Sequence, residues 1–528
     1  MTSFASTLSD RRGIWAFALG VAAVTAGVLM HVPMFMMGRT MNFMLAGMPM
    51  GWDMVFGMFL IVGGCLVAAW GLLPRNVAAQ RAAAADILVA APEDAQLGPA
   101  HWGLLVVLVV ALVIDTMKPA SLGFTIDGMK HEYRVDQAAA SLVPFFALIG
   151  TVTGSVVWGV LADIYGRKAT ILLSAVMFVG TSICGAMPSL AWNIGMCFMM
   201  GAAAGGMLPV TYALLAEMMP SRHRGWSLVL VGGLGAGGGY LAASAAATWI
   251  VPVLGWRILW LLNLPTGLAL VFLGGFIPES AKFLLARGRA LEARAVMRKF
   301  GAVAKTLGPE PARPAAASGN GALTGLRLYG KLAALSITAL AWGFVNFGLL
   351  LWLPAHLRDQ GYPVEIANGL LAKSALIAIP MAFVCALVYS LWSTKWSLAA
   401  SVGLLMLGLL GILRLELFGG GDPVLPFALL IIGINGIIAI VLPYTAESFP
   451  LRVRGRATGW VAACTKGGGV IAQALSITKL VPPIGIVAGA VVVPVVAALA
   501  LVAWFGRETR GRDLRDLDEV LLHSGAVA

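Results

Sequence analysis

Three ionisable residues stand inside long apolar stretches of this 528-residue chain, where charge is rare. Asp115 lies about twelve residues into one apolar block, and Lys466 lies about nine residues into another. Lys118 follows Asp115 by three positions, so the two share one helix face and can pair. An ionised group in such surroundings costs about 2.5–3.5 kcal/mol or more unless it is satisfied. These residue types favour a carboxylate that takes up and releases a proton, beside cations that attract an anion.

The composition of the whole chain indicates the environment around these charges. Of all residues, 59% are apolar and 11% are charged, and the mean hydropathy is +0.89. Soluble domains are about a quarter charged, so a water-soluble globule is excluded. The apolar blocks have the length that crosses a hydrocarbon core of about 30 Å, and they predict an all-α integral membrane protein with fourteen spans. The predicted spans are 13–37, 53–73, 103–124, 141–161, 169–187, 192–215, 227–250, 257–277, 332–353, 367–391, 397–416, 425–445, 457–477 and 484–505.

The basic residues predict the orientation of these spans. With a cytoplasmic N-terminus, 26 of the 36 Lys and Arg fall in cytoplasmic segments, 5 in exterior loops and 5 within spans or at their ends. Cytoplasmic loops of membrane proteins carry such an excess. We therefore expect both termini to be cytoplasmic, in a multi-pass protein of the plasma (inner) membrane. The net charge of +12 follows from this asymmetry and does not indicate nucleic-acid binding.

Polar segments divide the chain into predicted domains. The central loop is expected to begin with an amphipathic helix from Arg289 to Phe300 and to have no fixed structure over 307–325. The predicted domains are a Met-rich transmembrane hairpin (1–73), a linker (74–102), an N-terminal six-helix bundle (103–277), a central loop (278–331), a C-terminal six-helix bundle (332–505) and a tail (506–528).

An internal repeat relates the two bundles. Glu-x-x-Pro-x-x-x-Arg-Gly occurs at 217–225 and again at 447–455, a separation of 230 residues, and each copy closes the fourth span of a six-span half. A duplicated six-helix unit is the economical explanation. The same offset carries Asp163 onto Ser393, so the second copy has lost this carboxylate.

A further motif, Gly159-x-Leu-Ala-Asp-x-x-Gly-Arg-Lys168, occupies the turn between the second and third spans of the first half. With the paired repeat, Gly255-Trp-Arg257 and Pro278-Glu-Ser280, it resembles the major facilitator superfamily, in the branch of sugar porters, proton-coupled metabolite symporters and organic-ion transporters. The resemblance implies two pseudo-symmetric six-helix bundles, alternating access, a monomer and cytoplasmic charge networks that latch the bundles. The implied gating residues are Gly159, Asp163, Gly166, Arg167, Lys168, Glu217, Arg224, Glu447 and Arg454.

The sequence departs from related symporters at the centre. Their first core helix often reads Asp-x-x-Asp, and their fourth carries an Arg four residues before a Gly; here those positions hold Lys118 and Cys197. We hypothesise a secondary transporter of a small organic anion, coupled to protons through Asp115, with Lys118 and Lys466 in the cavity. An ion pair that only fixes helix packing remains an alternative for Asp115. By the resemblance, residues on the seventh and tenth core helices line the cavity: Trp342, Asn346, Asn435 and Tyr444.

Two other transport functions remain alternatives, whereas dinucleotide binding and enzyme activity are not expected. A sugar or organic-cation transporter is the first alternative. Ten methionines within 30–58, beside His31, suit Cu(I) and make a copper transporter or metal-handling protein the second. The segment 233–238 matches a dinucleotide fingerprint but lies inside a span, where glycines at 233, 235, 237 and the following position 239 instead predict close helix packing. No catalytic motif, cofactor site or cysteine-based metal site is found, so the chain is not expected to be an enzyme.

Overall fold

The computed structural model of the chain is largely helical. It describes residues 11–72, 87–90, 96–286, 288–301, 303–306, 321–352, 364–418, 424–449, 451–480 and 483–510.

The helices of the first half run from the N-terminus to the end of the sixth core span. They are α1 (Arg11–Leu29), α2 (Val32–Met37), α3 (Trp52–Leu72), α4 (Pro99–Tyr133), α5 (Gln137–Tyr165), α6 (Arg167–Gly180), α7 (Leu190–Ala204), α8 (Met207–Met218), α9 (Ser221–Trp249), α10 (Val251–Leu254), α11 (Ile258–Leu261) and α12 (Asn263–Gly274). Short 3₁₀ turns extend α2 over Gly38–Met41 and α6 over Thr181–Ala186.

The central segment and the second half complete the chain. They contain α13 (Ala281–Ala286), α14 (Ala290–Phe300), α15 (Gly321–Phe344), α16 (Val364–Leu391), α17 (Thr394–Phe418), α18 (Val424–Ser448), α19 (Leu451–Ile477) and α20 (Ile484–Phe505). A π-helical turn, Val345–Leu349, continues α15. The strands are β1 (Ile87–Ala90) and β2 (Val303–Thr306).

Eleven helical segments of the described residues are long and apolar enough to cross a membrane. The shorter apolar segments Ile258–Gly274 and Ile379–Leu391 lie at two further predicted spans. The third predicted span outside the eleven, 457–477, lies within α19, which has the length of a span but a charged beginning. The predicted span 103–124 ended too early, because α4 continues to Tyr133 through residues whose charges had suggested a loop.

The core helices form two bundles that face each other. The N-terminal bundle contains α4 to α12, and the C-terminal bundle contains α15 to α20. The main contacts between the bundles join α5 to α19 and α9 to α16. Within the halves, α5 packs on α7 and α15 packs on α19. The two bundles therefore repeat one helical arrangement, and a central cavity lies between them.

Glycines allow the closest approach between α9 and α4. A Cβ at Gly235 would lie 2.6 Å from the Cβ of Leu112, and one at Gly239 would lie 2.6 Å from the Cβ of Thr116. Real carbon atoms do not approach so closely, so only glycine permits this packing. The small-residue spacing in this segment is thus confirmed as a helix contact.

The N-terminal helices α1 and α3 pack against each other along their length and also contact α6. A Cβ at Gly20 would lie 2.6 Å from the carbonyl oxygen of Gly64, and one at Gly27 would lie 2.5 Å from that of Gly57. Small residues at these crossings bring the two backbones into contact, as in membrane helix pairs.

A two-stranded antiparallel sheet, absent from the all-α prediction, joins the predicted linker to the predicted central loop. Its register pairs Ile87 with Thr306 and Ala90 with Val303. Four-residue strands more than two hundred residues apart leave no periodic signal in sequence. The amphipathic helix expected from Arg289 is confirmed as α14. Residues 321–325 belong to α15 and are not irregular as predicted, whereas 307–320 lie outside the described residues.

Candidate functional site

A cavity of about 120 Å³ lies between the two bundles, near the middle of the core helices. Helices of both halves supply its walls, which is the arrangement the duplicated sequence favours. Six of the seven residues that the sequence places in a central cavity line it: Asp115, Lys118, Trp342, Asn346, Asn435 and Lys466.

The first charged wall of the cavity comes from α4. Asp115 is 9% exposed and Lys118 is 1% exposed. Pro119 follows directly and has no N–H group, so the backbone carbonyl of Asp115 loses its helical donor. Neither Asp115 Oδ1 nor Lys118 Nζ has a hydrogen-bond partner among the described residues, and Lys118 Nζ lies against the ring of Phe178. The two charges are close along the helix but do not form the hydrogen bond that their spacing permits.

The opposite wall comes from the C-terminal bundle, where α19 carries Lys466. Lys466 Nζ lies 5.6 Å from the ring centroid of Trp342 and 5.1 Å from that of Phe347. An ammonium group at these distances is attracted by the aromatic rings. Trp342 is held in turn by a hydrogen bond of 2.9 Å from Nε1 to the carbonyl oxygen of Ile434 on α18.

A π-helical turn places Asn346 at the bundle interface. Such turns occur often at functional sites, because they break the regular helical ladder. Tyr240 of α9 donates a hydrogen bond of 3.2 Å from its hydroxyl to Asn346 Oδ1, and this bond links the two bundles. Asn435 donates to the carbonyl oxygen of Ile431 in its own helix at 2.9 Å.

Three aromatic residues of the cavity were not predicted from the sequence. Tyr212, Tyr240 and Phe347 all line it, and the buried hydroxyl of Tyr212 has no hydrogen-bond partner among the described residues. Tyr240 directly follows the glycine run of α9, where a single large polar side chain is unusual. That contrast is the signal that could have identified it.

The structure does not place Tyr444 in the cavity, which corrects the sequence expectation. Its hydroxyl donates to the carbonyl oxygen of Arg507 at 2.8 Å and accepts from the backbone N–H of Arg507 at 2.8 Å. Tyr444 lies nine residues after Asn435, about 13 Å along α18, and therefore reaches the end of the bundle. It anchors the segment that follows α20.

A carboxylate caps the start of α6, within the motif that begins at Gly159. Glu279 Oε1 accepts hydrogen bonds from the backbone N–H of Arg167 at 3.0 Å and of Lys168 at 3.4 Å. Gly166 has φ +99°, and a Cβ there would lie 2.9 Å from both carboxylate oxygens of Glu279. Only glycine fits this left-handed position. The side chains of Asp163, Glu217 and Arg454 lie outside the described residues.

A second carboxylate occupies the matching place in the C-terminal half. Glu508 accepts hydrogen bonds from the hydroxyl of Ser393, and from the backbone N–H and hydroxyl of Thr394 at 2.9 and 2.6 Å. Burial alone would raise the pKa of Glu508, but these donors outweigh it and lower the pKa to about 2. Glu508 lies 229 residues after Glu279, close to the repeat offset, so this cap is repeated in both halves although the counterpart of Asp163 is Ser393.

The remaining residues for which gating is predicted lie near the same end of the molecule. Glu447 Oε2 accepts from the hydroxyl of Tyr389 at 2.5 Å and from that of Thr509 at 3.0 Å. A Cβ at Gly225, beside Arg224, would lie 3.2 Å from Glu447 Oε1, so the start of α9 approaches the opposite bundle here. Among the residues that the structure describes, no atom of another element lies within 4 Å of the position that a Cβ would occupy at Gly159.

The methionines of the Met-rich segment are divided between the hydrophobic core and the surface, where Met36, Met37, Met41 and Met44 are 46–60% exposed. Met34 and Met54 are 4% and 3% exposed within the hydrophobic core. His31 is buried and its Nδ1 is bonded to the carbonyl oxygen of Gly27 at 2.8 Å. Among the described residues, no group of three or more His, Cys, Asp and Glu side chains could hold a metal ion.

Comparisons with known proteins agree with this architecture. The niacin transporter NiaP of Acinetobacter baylyi is 26% identical over 81% of this chain and 99% of its own length. The 4-hydroxybenzoate transporter PcaK of Pseudomonas putida is 28% identical over 51% of this chain and 61% of its own length. The proton:xylose symporter XylE of E. coli shares the fold, with a TM-score of 0.64 at 15% identity over 80% of this chain and 98% of that structure.

The family follows from the match over the core helices. The family model of the Major Facilitator Superfamily matches residues 104–473, which is more than half of the chain. The expectation of a multi-pass membrane transporter that is not an enzyme is thereby confirmed. The chain belongs to the Major Facilitator Superfamily.

Proposed function

We propose that the protein is a secondary transporter of a small aromatic carboxylate, coupled to protons and working by alternating access. One observation carries the proposal: Asp115 of the N-terminal bundle and Lys466 of the C-terminal bundle line one cavity, with two aromatic rings beside the lysine. Ionisable groups within a membrane protein usually mark the path of a substrate or ion.

The chemistry around Lys466 supports this substrate class. Its ammonium group can bind a carboxylate, while the faces of Trp342 and Phe347 can accept the edge of an aromatic ring. Niacin and 4-hydroxybenzoate, named for the two relatives, both combine a ring with one carboxyl group. Asn346 and Asn435 supply polar groups that can orient such a ring.

The balance of charge in the cavity supports proton coupling. Asp115 and Lys466 act on each other electrostatically across the cavity. When Asp115 takes up a proton, its negative charge disappears, and a substrate carboxylate can replace it beside Lys466. In this scheme Lys118 compensates Asp115 in the empty transporter. One proton then accompanies one anion, so transport leaves the membrane voltage unchanged.

The gating motifs provide the conformational change. The start of α9 approaches Glu447 of the opposite bundle. Such an approach can exist in only one arrangement of the two bundles. We propose that Gly159, Asp163, Gly166, Arg167 and Lys168 form the latch of the first half. The second set of latch residues is Glu217, Arg224, Glu447 and Arg454. Glu279 holds the start of α6, where Arg167 and Lys168 lie, and Glu508 holds the start of α17 in the other half.

The topology is part of the proposal. We infer fourteen spans in the plasma (inner) membrane, with cytoplasmic termini, an additional N-terminal pair formed by α1 and α3, and a monomeric transporter. Trp52 and Trp70 are 87% and 57% exposed at the two ends of α3. They are about 27 Å apart along the helix, which fits tryptophans at the two membrane interfaces.

The test is uptake into proteoliposomes with an imposed pH gradient. We expect nicotinate to enter when the lumen is alkaline and nicotinamide, which lacks the negative charge, to be excluded. Lys466→Gln should abolish uptake, whereas Lys299→Gln on the exposed surface of α14 should leave it unchanged. Uptake of a sugar, an organic cation or Cu(I) in place of the acids would replace the proposal with one of those alternatives.

A further inference from the structure

A loop outside the cavity makes contacts that the proposed function does not use. Residues 42–47, here called the strap, connect the 3₁₀ turn after α2 to the residues before α3. The backbone N–H groups of Leu45 and Ala46 donate to Glu132 Oε1 at 2.5 and 2.9 Å. Gly47 donates to the carbonyl oxygen of Pro188 at 3.0 Å. The strap is thus bound to the ends of two core helices.

The acceptor, Glu132, lies at the end of α4 in a buried ion pair. Arg257 Nη2 lies 2.7 Å from Glu132 Oε1, and the two side chains are 0% and 2% exposed. Trp256 Nε1 donates to Glu132 Oε2 at 2.9 Å, and Arg257 also donates to the carbonyl oxygen of Met187 at 2.8 Å. Opening the strap would remove two hydrogen-bond donors from the buried Glu132 carboxylate, which is unfavourable.

The backbone of the strap shows that its surroundings determine its shape. Asn42 and Phe43 have φ +52° and +59°, a left-handed conformation that costs energy for residues other than glycine. Phe43 is stacked on Phe35 at 4.9 Å and is buried, and the Leu45 side chain is completely buried. Packing therefore maintains a conformation that the free loop would leave.

The contacts of the strap stay within the first half of the molecule. Contacts between other residues join the two halves. Ile61 of α3 lies against Gly180 of α6, again inside the first half. By contrast, Asp136 binds Lys479 at 2.7 Å, and the hydroxyls of Ser141 and Ser476 are 2.6 Å apart. These last two contacts join the bundles at the ends of α5 and α19.

We propose that the strap remains closed throughout the transport cycle, so that α1, α3 and the N-terminal bundle move as one rigid body. The bundles then separate at the contacts between α5 and α19, while the end of α4 stays sealed by the strap. Because α4 also carries Asp115 and Lys118, the strap fixes the helix that supplies the charges of the cavity.

Thiol labelling of the purified protein in detergent tests this proposal without any knowledge of the substrate. Met44 is 51% exposed and Leu45 is 0% exposed, so Met44→Cys and Leu45→Cys form a matched pair. We expect a maleimide to react with Leu45→Cys at least tenfold more slowly than with Met44→Cys. This ratio should be the same at pH 5.5 and 7.5, and with or without a Ser141→Cys/Ser476→Cys disulfide that locks the bundles. Protection that appears only in the locked protein would overturn the proposal.

Hydrogen exchange of the unmodified protein provides the second measurement, in case Leu45→Cys disturbs the core. After correction for intrinsic rates, the amides of Leu45 and Ala46 should exchange at least a hundredfold more slowly than an unbonded amide, equally at both pH values. Fast exchange, or protection at only one pH, would show that the strap opens and would refute a single rigid body.

Discussion

The buried pair Glu132–Arg257 offers a prediction whose size can be worked out from the structure. Arg257→Met leaves the carboxylate buried, although the N–H groups of Leu45, Ala46 and Trp256 still bind it. Glu132→Gln leaves the guanidinium buried without its anion. Removing one partner of such a pair costs about 3–5 kcal/mol of stability. We therefore expect each single variant to lose free energy of unfolding in this range.

The double variant Glu132→Gln/Arg257→Met should be more stable than either single variant. It contains no uncompensated charge, and the glutamine oxygen still accepts from the strap. We expect a recovery of about 2 kcal/mol relative to each single variant, so that the double variant costs about 1–3 kcal/mol, whereas simple addition of the two single costs would give about 6–10 kcal/mol. Unfolding by denaturant in mixed micelles, followed by tryptophan fluorescence, measures the stability of the unmodified protein, the two single variants and the double variant. These four values make a double-mutant cycle.

The pair Arg289–Glu292 is the matched control. It has the same N···O distance of 2.7 Å, but its side chains are 15% and 40% exposed. Arg289→Met should therefore cost less than about 1 kcal/mol. If the costs of the two single variants at Glu132 and Arg257 simply add in the double variant, the reasoning from burial is refuted.

Three further predictions concern coupling and the helix caps. Asp115→Asn should abolish uptake driven by a pH gradient and retain counterflow of the same substrate; normal gradient-driven uptake would contradict its role as the proton site. The depressed pKa of Glu508, about 2, means that its cap contributes stability in full above about pH 4.5 and loses it as the pH falls towards 2; Glu508→Gln should flatten this acid dependence of thermal unfolding. Gly166→Ala should lower transport strongly in a counterflow assay, because a Cβ would meet the Glu279 carboxylate at 2.9 Å in a left-handed backbone; unchanged activity would show that the turn relaxes.

The sequence predicted the parts of the site that depend on charge in an apolar setting. Asp115 and Lys466 were identified because ions within long apolar blocks are costly, and both line the cavity. The same reasoning failed at Glu132, since its charge was taken to mark a loop beyond the span. Its burial depends on Arg257, 125 residues later, and only the folded chain brings the two together.

The repeat predicted the two halves and their correspondence, but not every partner. Ser393 stands where the first half has Asp163, and the offset did not reveal that Glu508, the counterpart of Glu279, bonds to Ser393 from the other end of the half. Tyr444 was placed in the cavity by resemblance, and its position along α18 puts it with Arg507 instead. Contacts that depend on distant segments leave no local pattern, so spacing alone could not reveal them.

The small sheet of β1 and β2 has a consequence for biosynthesis. Ala90 pairs with Val303, so the strand β1 must wait while 213 further residues are synthesised. At about 5–20 residues per second this takes roughly ten to forty seconds. By then every helix from α4 to α12 has emerged, and α15 has not. Closure of the sheet thus marks the moment at which the first half is complete, before its counterpart has been translated.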